Sequence, residues 1–355
     1  MRVGMIGCGF AGLAAAIAFR QGGHDVTVFE RSDGIVESSA AISLAPNALR
    51  CLDILGVRDQ FPSSSMARLP ATIRSDTGRV LMRSSLARFA GGDDYCLAER
   101  SMLLKSLLAQ VPHASVRFRS NVTEVRPTGE VHADGVQHRF DLVVAADGAH
   151  SRARRTLWPH EATPHRTGIT AWTWIVNQQM NDGYGAIWGR FAEFGILPLP
   201  DGRTYVWGGA RPGHADLSAY RDWPLSLPEL IAAADSDRIS TVELTEVAPP
   251  RNFPKGRVVL IGDSAHAMRP TLGQGAALAM EDAITLAHGG IEQLARRRPR
   301  MLALYWVSKT GSRVAIPKLR ILAAARNTAL RLAPDRVMAS SVGSVSRWTA
   351  PPRSS

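Results

Sequence analysis

The chain has 355 residues, 45% hydrophobic and 21% charged, proportions of an ordinary folded protein that exclude a disordered chain. Its 31 Gly and 21 Pro are too few for a collagen-like or low-complexity chain, and no apolar run approaches the ~20 residues that cross a bilayer. The net charge of +11 belongs to one end: residues 296–355 hold thirteen basic side chains against Asp335 alone, and the rest is close to neutral, which removes the main support for nucleic-acid binding. The length suggests about two domains. Three scattered cysteines (Cys8, Cys51, Cys96) form neither a disulfide framework nor a metal site and suit a reducing compartment. With no secretory apolar region and cleavage site at the N-terminus, a cytoplasmic protein is expected.

Met1–Ile6 reads as a short buried strand. Gly7-Cys8-Gly9-Phe10-Ala11-Gly12 follows, then a helix over Leu13–Gln21, a break at Gly22-Gly23-His24 and a second strand over Asp25–Glu30. In such a βαβ unit the first glycine permits the tight turn. The second lets backbone approach a pyrophosphate, and the third lets helix pack close on strand. The helix N-terminus offers free N–H groups to phosphate. Glu30, at the end of the second strand, is placed to accept hydrogen bonds from an adenosine ribose, which favours FAD or NAD over NADP. Arg31 is solvated surface, a lid on the adenine, or a ligand for a 2′-phosphate.

Further along, Arg68–Arg74 and Val80–Arg83 are candidate strands. A buried strand at Phe140–Ser151 ends in Asp147-Gly148, with Arg152, Arg154 and Arg155 after it. Thr167–Asn177, Tyr184–Ile196 and Arg203–Ala210 read as antiparallel strands between Gly/Asp/Pro turns, a second layer able to floor a pocket. Trp172 and Trp174 share one face of a strand. With Trp188 and Trp207 they either line an aromatic substrate pocket or fill a sheet–helix core. A strand over Arg257–Asp263 ends in Gly262-Asp263, and Gly273-Gln274-Gly275 opens a helix over Ala276–Ala287, presenting bare amides to an electronegative oxygen. Residues 301–340 show helical apolar periodicity interrupted by Pro317 and Pro334.

These motifs, in this order, resemble the class A FAD-dependent monooxygenases, the para-hydroxybenzoate hydroxylase-like aromatic hydroxylases. The likeness rests on the glycine loop, Asp147-Gly148, and Gly262-Asp263-Ser264-Ala265-His266 with Pro270 and Gly273-Gln274-Gly275. It extends to Pro46-Asn47, Ala98-Glu99-Arg100-Ser101-Met102-Leu103, Gly168–Trp172 and Met280–Ala283, covering about residues 1–310. The resemblance implies an α/β fold: a Rossmann-like FAD-binding domain (residues 1–67, 94–162 and 250–300), an antiparallel-sheet substrate domain (68–93 and 163–249) and a C-terminal helical basic segment (301–355). It implies FAD at Gly7, Gly9, Phe10, Ala11, Gly12 and Glu30, with Arg31 beside them. Arg100 would reach the ribityl and phosphate region. Asp147 would serve FAD and the pyridine nucleotide, and Asp263 the ribityl chain. Pro270 would lie beside the flavin, and Gly273, Gln274, Gly275 and Ala276 near its N1 and O2. Outside the resemblance, Asp147 reads as a turn residue, Asp263 as a helix N-cap, and Arg100 as surface. The segment Ser38–Ser43 carries side chains where the family has glycines.

The implied activity uses NADH or NADPH and O₂ to hydroxylate an aromatic or heteroaromatic small molecule through a flavin C4a-hydroperoxide. No acid–base residue stands out; Tyr205, Tyr184, His214 and Arg190 are candidates that equally read as structural. The basic C-terminus is either a helical cap or a contact with anionic membrane or an acidic carrier protein. The alternatives are a membrane-associated quinone-pathway hydroxylase or epoxidase of the same family, and a flavin-binding sensor without turnover. A monomer or homodimer is expected.

Overall fold

The computed structural model describes residues 1–61, 65–89, 94–161, 163–180, 183–333, 343 and 345–353. Short uninterrupted apolar runs build its first sheet, because a strand covered by helices on both faces has no use for alternation. Arg2–Ile6, Asp25–Phe29, Leu142–Ala145 and Val258–Leu260 pair in parallel, with the order Pro254–Lys255, Val258–Leu260, Leu142–Ala145, Arg2–Ile6, Asp25–Phe29, Val116–Arg117 across the sheet. Val3, Met5, Val143, Val144 and Val258 are fully buried. The helix Phe10–Gln21 packs against the long helix Gly275–Arg296, which bends at Gly290 (φ 69°, ψ −171°). The helix over the glycine loop starts at Phe10, earlier than its apolar run suggests, because Gly9 already serves as the N-cap.

The second sheet has seven strands in the order Ser240–Glu246, His165–Val176, Thr204–Ala210, Ala192–Pro198, Tyr184–Trp188, Pro70–Ser75, Val80–Ser85. It is antiparallel except where Tyr184–Trp188 runs parallel to Pro70–Ser75. The segment Tyr184–Ile196, which reads as one strand, is two. Gly189 turns the chain, its N–H donating to the Ala192 carbonyl at 2.9 Å, and the ring of Trp223 leaves no room there for a Cβ. A ribbon of Ala41–Leu44 and Cys96–Glu99 joins the two sheets, and a three-stranded meander spans Val122–Arg139.

Register separates the tryptophans. Trp172 pairs with Gly208 and Thr173 with Trp207, so Trp172 and Trp174 face away from Trp207. Trp172 stacks on Phe194 (5.9 Å, 4° between planes) within a cluster containing Tyr220 and Trp223. The Trp174 indole donates to the Leu230 carbonyl at 3.0 Å. Both rings are buried in this cluster. Trp188 packs with Ile73, Leu81 and Met82 against Leu330, and Trp207 lies over Gly195, whose missing Cβ would come within 2.0 Å of the indole nitrogen.

At the C-terminus, helices Arg298–Ala315 and Arg320–Leu332 flank the break at Pro317. The first of them crosses the expected boundary at 300/301. The expected boundary residues 93 and 162, Pro334, Asp335 and Arg336 lie outside the described residues. Part of the basic excess is buried: Arg297 and Arg300 bond Glu281, and Arg326 donates to the carbonyls of Trp188, Gly189 and Ala315.

Candidate active site

Three turns meet at the ends of neighbouring parallel strands. The Cβ that Gly7 lacks would sit 2.5 Å from the Ala146 carbonyl oxygen, and Gly7 holds φ +101°. The one Gly12 lacks would sit 1.9 Å from the Gly7 carbonyl oxygen. A Cβ at Gly262 would meet Ala11 at 2.8 Å and Ala279 at 3.2 Å. Ser264 Oγ donates to the carbonyl of Ala145 at 2.6 Å, and buried Arg154 donates to the carbonyls of Ser264 and Ala265. The structure therefore brings the glycine loop, Asp147-Gly148 and Gly262-Asp263 together.

Gly9 differs from its neighbours. Chain neighbours aside, no atom of the described residues lies within 4 Å of its missing Cβ, and its backbone (φ −85°, ψ −171°) is open to any residue. Packing among the described residues does not require a glycine there. Glu30 ties the loop at its far side, accepting from the N–H of Cys8 (2.8 Å) and of Ser32 (2.9 Å). Arg31 is exposed beyond it. Arg100 opens the helix Arg100–Leu108 with its guanidinium 5.3 Å from the Phe10 ring centroid. Burial lowers its pKa, and the charge of Asp263 acts the other way.

Asp147 caps the helix Arg152–Leu157, one oxygen accepting from Arg152 N–H at 2.7 Å and Ala153 N–H at 3.3 Å. The other oxygen is buried without a partner among the described residues. Burial raises the pKa of Asp147, opposed by the bonds from Ser151, Ala153 and Arg152. Asp263 begins the short helix Asp263–His266; desolvation by the surrounding chain raises its pKa against the pull of His266 and Arg100.

Pro270 starts a 3₁₀ turn, and Gly273 (φ +61°) lies 3.4 Å from Ser43 measured from its missing Cβ. Gly275 and Ala276 open the long helix with their amides free of any side-chain cap. Gln274 is buried and accepts from Asn47 Nδ2 at 2.8 Å; the same nitrogen donates to Glu281 at 2.6 Å. Arg297 joins Glu281 (2.6 Å) to Asp282 (3.1 Å), and Asp282 holds His266 at 2.5 Å. Burial works against the charged His266, but Asp282 outweighs it and raises the pKa. Of these, only the motif residues are legible in sequence; Asn47, Glu281 and Asp282 are visible as family positions without a role. Ser43 faces the Gly273 turn and meets Tyr95 at 3.3 Å, so the Ser38–Ser43 segment does bring a side chain to this loop.

The acid–base candidates do not converge. Tyr205 lies at the backbone of Ala41 beside Tyr95, and burial pushes its pKa above the ordinary phenol value. Arg190 and His214 sit at the opposite end of the strands, both stacked on Phe191 at 4.2 and 4.0 Å. The Tyr184 hydroxyl is buried without a partner among the described residues.

A parallel sheet with phosphate-ready turns at its strand ends, facing a second sheet across a joining ribbon, defines a Rossmann-like flavoprotein with a substrate layer. Open space at Gly9, the unpartnered oxygen of Asp147 and the free amides at Gly275 fit FAD. The chain matches the FAD binding domain family over residues 1–206 and 209–310. It is 33% identical over 314 residues to the FAD-dependent urate hydroxylase of Klebsiella pneumoniae, covering 81% of this chain and 80% of that one. It is 33% identical over 317 residues to the 2-heptyl-3-hydroxy-4(1H)-quinolone synthase of Pseudomonas aeruginosa (81% and 80%) and 32% identical over 334 residues to the 3-amino-4-hydroxybenzoate 2-monooxygenase of Streptomyces cremeus (86% and 83%). The crystal structure of Klebsiella pneumoniae HpxO complexed with FAD and uric acid superposes with a TM-score of 0.85 at 26% identity, covering 98% of this chain and 96% of that one. The chain belongs to the class A FAD-dependent monooxygenases, enzymes that use NAD(P)H and O₂ to hydroxylate aromatic and heteroaromatic rings. Among the described residues no helix is long and apolar enough to cross a membrane.

Two glycines separate packing from binding. Gly12→Ala is expected to disrupt the turn and lower the melting temperature of the flavin-free protein. Gly9→Ala is expected to leave that temperature unchanged and to weaken FAD about tenfold or more, the effect of ~1.4 kcal/mol at the phosphates. Fluorescence titration with FAD measures the second effect, and wild-type affinity in Gly9→Ala would remove the loop from the phosphate site.

Glu246 clamps the second sheet to the segment before Pro270. It accepts from Arg269 (2.7 Å), Lys309 (2.7 Å) and His165 (2.9 Å) and is 1% exposed. Burial pushes its pKa up, but Arg269 and Lys309 outweigh this and hold it at about 2, below the ordinary 4.5. A depressed folded pKa stabilises the protein above the unfolded value, and that stability disappears as pH falls towards the folded one. We expect Glu246→Gln to lose about 3 kcal/mol at neutral pH by urea unfolding. The gap to wild type should shrink from about pH 5 towards about pH 3; a constant gap would mean that the charge of Glu246 is not what stabilises.

Proposed function

We propose that the substrate is a heteroaromatic or electron-rich aromatic small molecule held between FAD and the sheet face carrying Tyr205 and Trp207. Supporting this most directly is the low floor of that face, where Trp207 lies over Gly195, and the position of Tyr205 at the backbone of Ala41 in the ribbon that carries Ser43. The relatives named for urate, a heptylquinolone and an aminohydroxybenzoate agree in chemistry. In this arrangement Gly7, Gly9, Phe10, Ala11 and Gly12 bind the pyrophosphate and Glu30 the adenosine ribose. Arg100 and Asp263 reach the ribityl and phosphate region, and Asp147 completes the site through its free oxygen. The division into FAD-binding (1–67, 94–162, 250–300), substrate (68–93, 163–249) and C-terminal (301–355) parts is part of the same proposal.

Bound FAD, once reduced by NAD(P)H, supplies the oxygen activation. The chain's own contribution is positional. Amides at Gly275 and Ala276, with the N-terminal dipole of their helix, would favour negative charge on the flavin they hold. Leu197, Trp207 and Tyr95 exclude water from the reacting side. Tyr205 keeps its proton at neutral pH, so it acts as a hydrogen-bonding wall rather than a base. Anaerobic flavin reduction by NADH and by NADPH, with and without phenolic, hydroxypyridine, quinolone and purine compounds, tests the whole. Nitrogen heteroaromatics should accelerate reduction about tenfold or more, the effect of ~1.4 kcal/mol on the barrier. A chain that takes up no FAD, or whose reduction no compound accelerates, would end the proposal.

A peripheral contact with anionic membrane is supported by the last described helix. Leu319, Ile321, Leu322 and Leu332 are 53–78% exposed, beside Lys318, Arg320 and Arg331. Apolar side chains flanked by cations suit an anionic lipid surface. Deleting the segment would also remove buried Arg326 and Trp348, so the sharper test is Ile321→Glu with Leu322→Glu. Wild type should sediment with phosphatidylglycerol vesicles at low salt and the double variant should not; equal binding by both rejects the contact.

A further inference from the structure

One buried carboxylate on the floor of the second sheet has no role in what precedes. Glu193, in strand Ala192–Pro198, is 7% exposed. It pairs across the sheet with Trp188 and Gly209, which places it on the face of Gly195, Leu197 and Trp207, opposite the aromatic core of Phe194 and Trp172. Its side chain lies over Gly209, with Oε1 4.0 Å from the Cβ that glycine lacks. At one end this face is closed by Ala41 and Tyr95 next to Tyr205, and at the other by the C-terminal helices, where Arg211 donates to the Ile316 carbonyl at 2.6 Å.

No donor of the described residues bonds the Glu193 carboxylate. The cation that acts on it, Arg326, has nothing left to give. A guanidinium has five N–H groups, and those of Arg326 go to the carbonyls of Trp188 (3.0 Å), Gly189 (3.0 Å) and Ala315 and, twice, to Asn327 Oδ1 (3.0 and 2.8 Å). The Glu193 oxygens are not among the sealed, unpartnered side-chain atoms of the described residues, so in the free protein solvent supplies the donor, and a ligand that displaces that solvent has to supply one in its place. Burial raises the pKa of Glu193 to about 7, with the charge of Arg326 pulling it down.

We propose that Glu193 is a substrate-binding residue that accepts a hydrogen bond from a ring N–H or ring amino group, and so selects nitrogen-bearing rings over aromatic carboxylates. This rests on the hydroxylase assignment and deepens it. A carboxylate substrate would meet a second negative charge in a place with few ways to screen it, whereas a hydrogen bond to a charged acceptor favours an N–H partner about tenfold or more.

The test uses the FAD-loaded protein and matched compounds: 4(1H)-quinolone against 1-methyl-4-quinolone and quinoline-4-carboxylate, and 2-pyridone against 1-methyl-2-pyridone. Binding is read from the perturbed flavin absorbance. Wild type should prefer the N–H compound of at least one pair about tenfold or more, and Glu193→Gln should reduce that preference to less than about threefold. Glu193→Asp, which keeps the charge, should retain the preference and guards against a glutamine variant that fails to fold. Overturning results are N-methyl or carboxylate compounds that bind wild type as well as the N–H ones, a preference that survives Glu193→Gln, or no response to any N–H compound. Uptake of FAD, read from the visible flavin spectrum, is scored separately; its absence would count against the hydroxylase assignment, not against Glu193 alone.

Discussion

The site depends on backbone contact so close that side chains are excluded. Where Gly12 crosses the Gly7 carbonyl, a single methyl would lie 1.9 Å from oxygen, and where Gly262 passes between Ala11 and Ala279 the gap is 2.8–3.2 Å. These contacts draw three turns from strands far apart in sequence to one edge of one sheet. The N–H groups at the start of helix Phe10–Gln21 then face outward, with no side chain of their own to cap them. Packing on the inner side of the loop thus leaves these N–H groups aimed outward, and no other described residue presses on the missing Cβ of Gly9.

Beneath the second half of the site lies a buried polar network. Asn47 holds Gln274 and Glu281, Arg297 holds Glu281 and Asp282, and Asp282 holds His266 and the Gly262 N–H (3.2 Å). Buried charges are tolerable only when each has its partners, and here the partners come from both motif loops and the C-terminal helix. Burial pushes the Asp282 pKa up, but His266 and Arg297 more than offset this and keep it low. The Gly262 turn and the Gly273–Gly275 turn are therefore fixed relative to each other by a single ionic cluster. Such rigidity matters where amides must point at charge that appears only during reaction. Glu246 performs the comparable task on the other side, fastening Arg269 to the second sheet.

The parallel sheet was legible because its strands are continuous apolar runs punctuated by glycine, a pattern few other structures produce. The motif turns were legible for the same reason, although the helix start at Phe10 needed cap geometry to be seen. What the sequence hides is contact at long separation: Asn47 reaches Gln274 and Glu281 across 227 and 234 positions, and nothing local marks the pairing. The turn at Gly189–Phe191 lacks the Asn, Asp or Pro that announces a hairpin, so two strands read as one. The ribbon Ala41–Leu44 and Cys96–Glu99 is too short for its alternation to register. Trp172 and Trp174 share a face by period alone, but which face looks at the cleft is decided by pairing with Gly208 and Val206, a tertiary fact.

That ambiguity of faces also explains why the substrate is harder to read than the cofactor. Strand Ala192–Pro198 is buried on both sides, so polar–apolar alternation, the usual signal, is absent, and Glu193 appears only as an interruption in an apolar run. One face of the sheet is locked by interlocking rings that tolerate little change. The other carries Gly195 and Gly209, positions without side chains that leave the floor low and let neighbouring residues fill it. A charged residue on such a floor has no structural partner to satisfy, since the nearby guanidinium of Arg326 is consumed by main-chain carbonyls. Selectivity in this architecture is thus free to vary through one or two side chains on the open face while the rings behind it hold the sheet in place, and the flavin loops, anchored elsewhere, are not disturbed by the change.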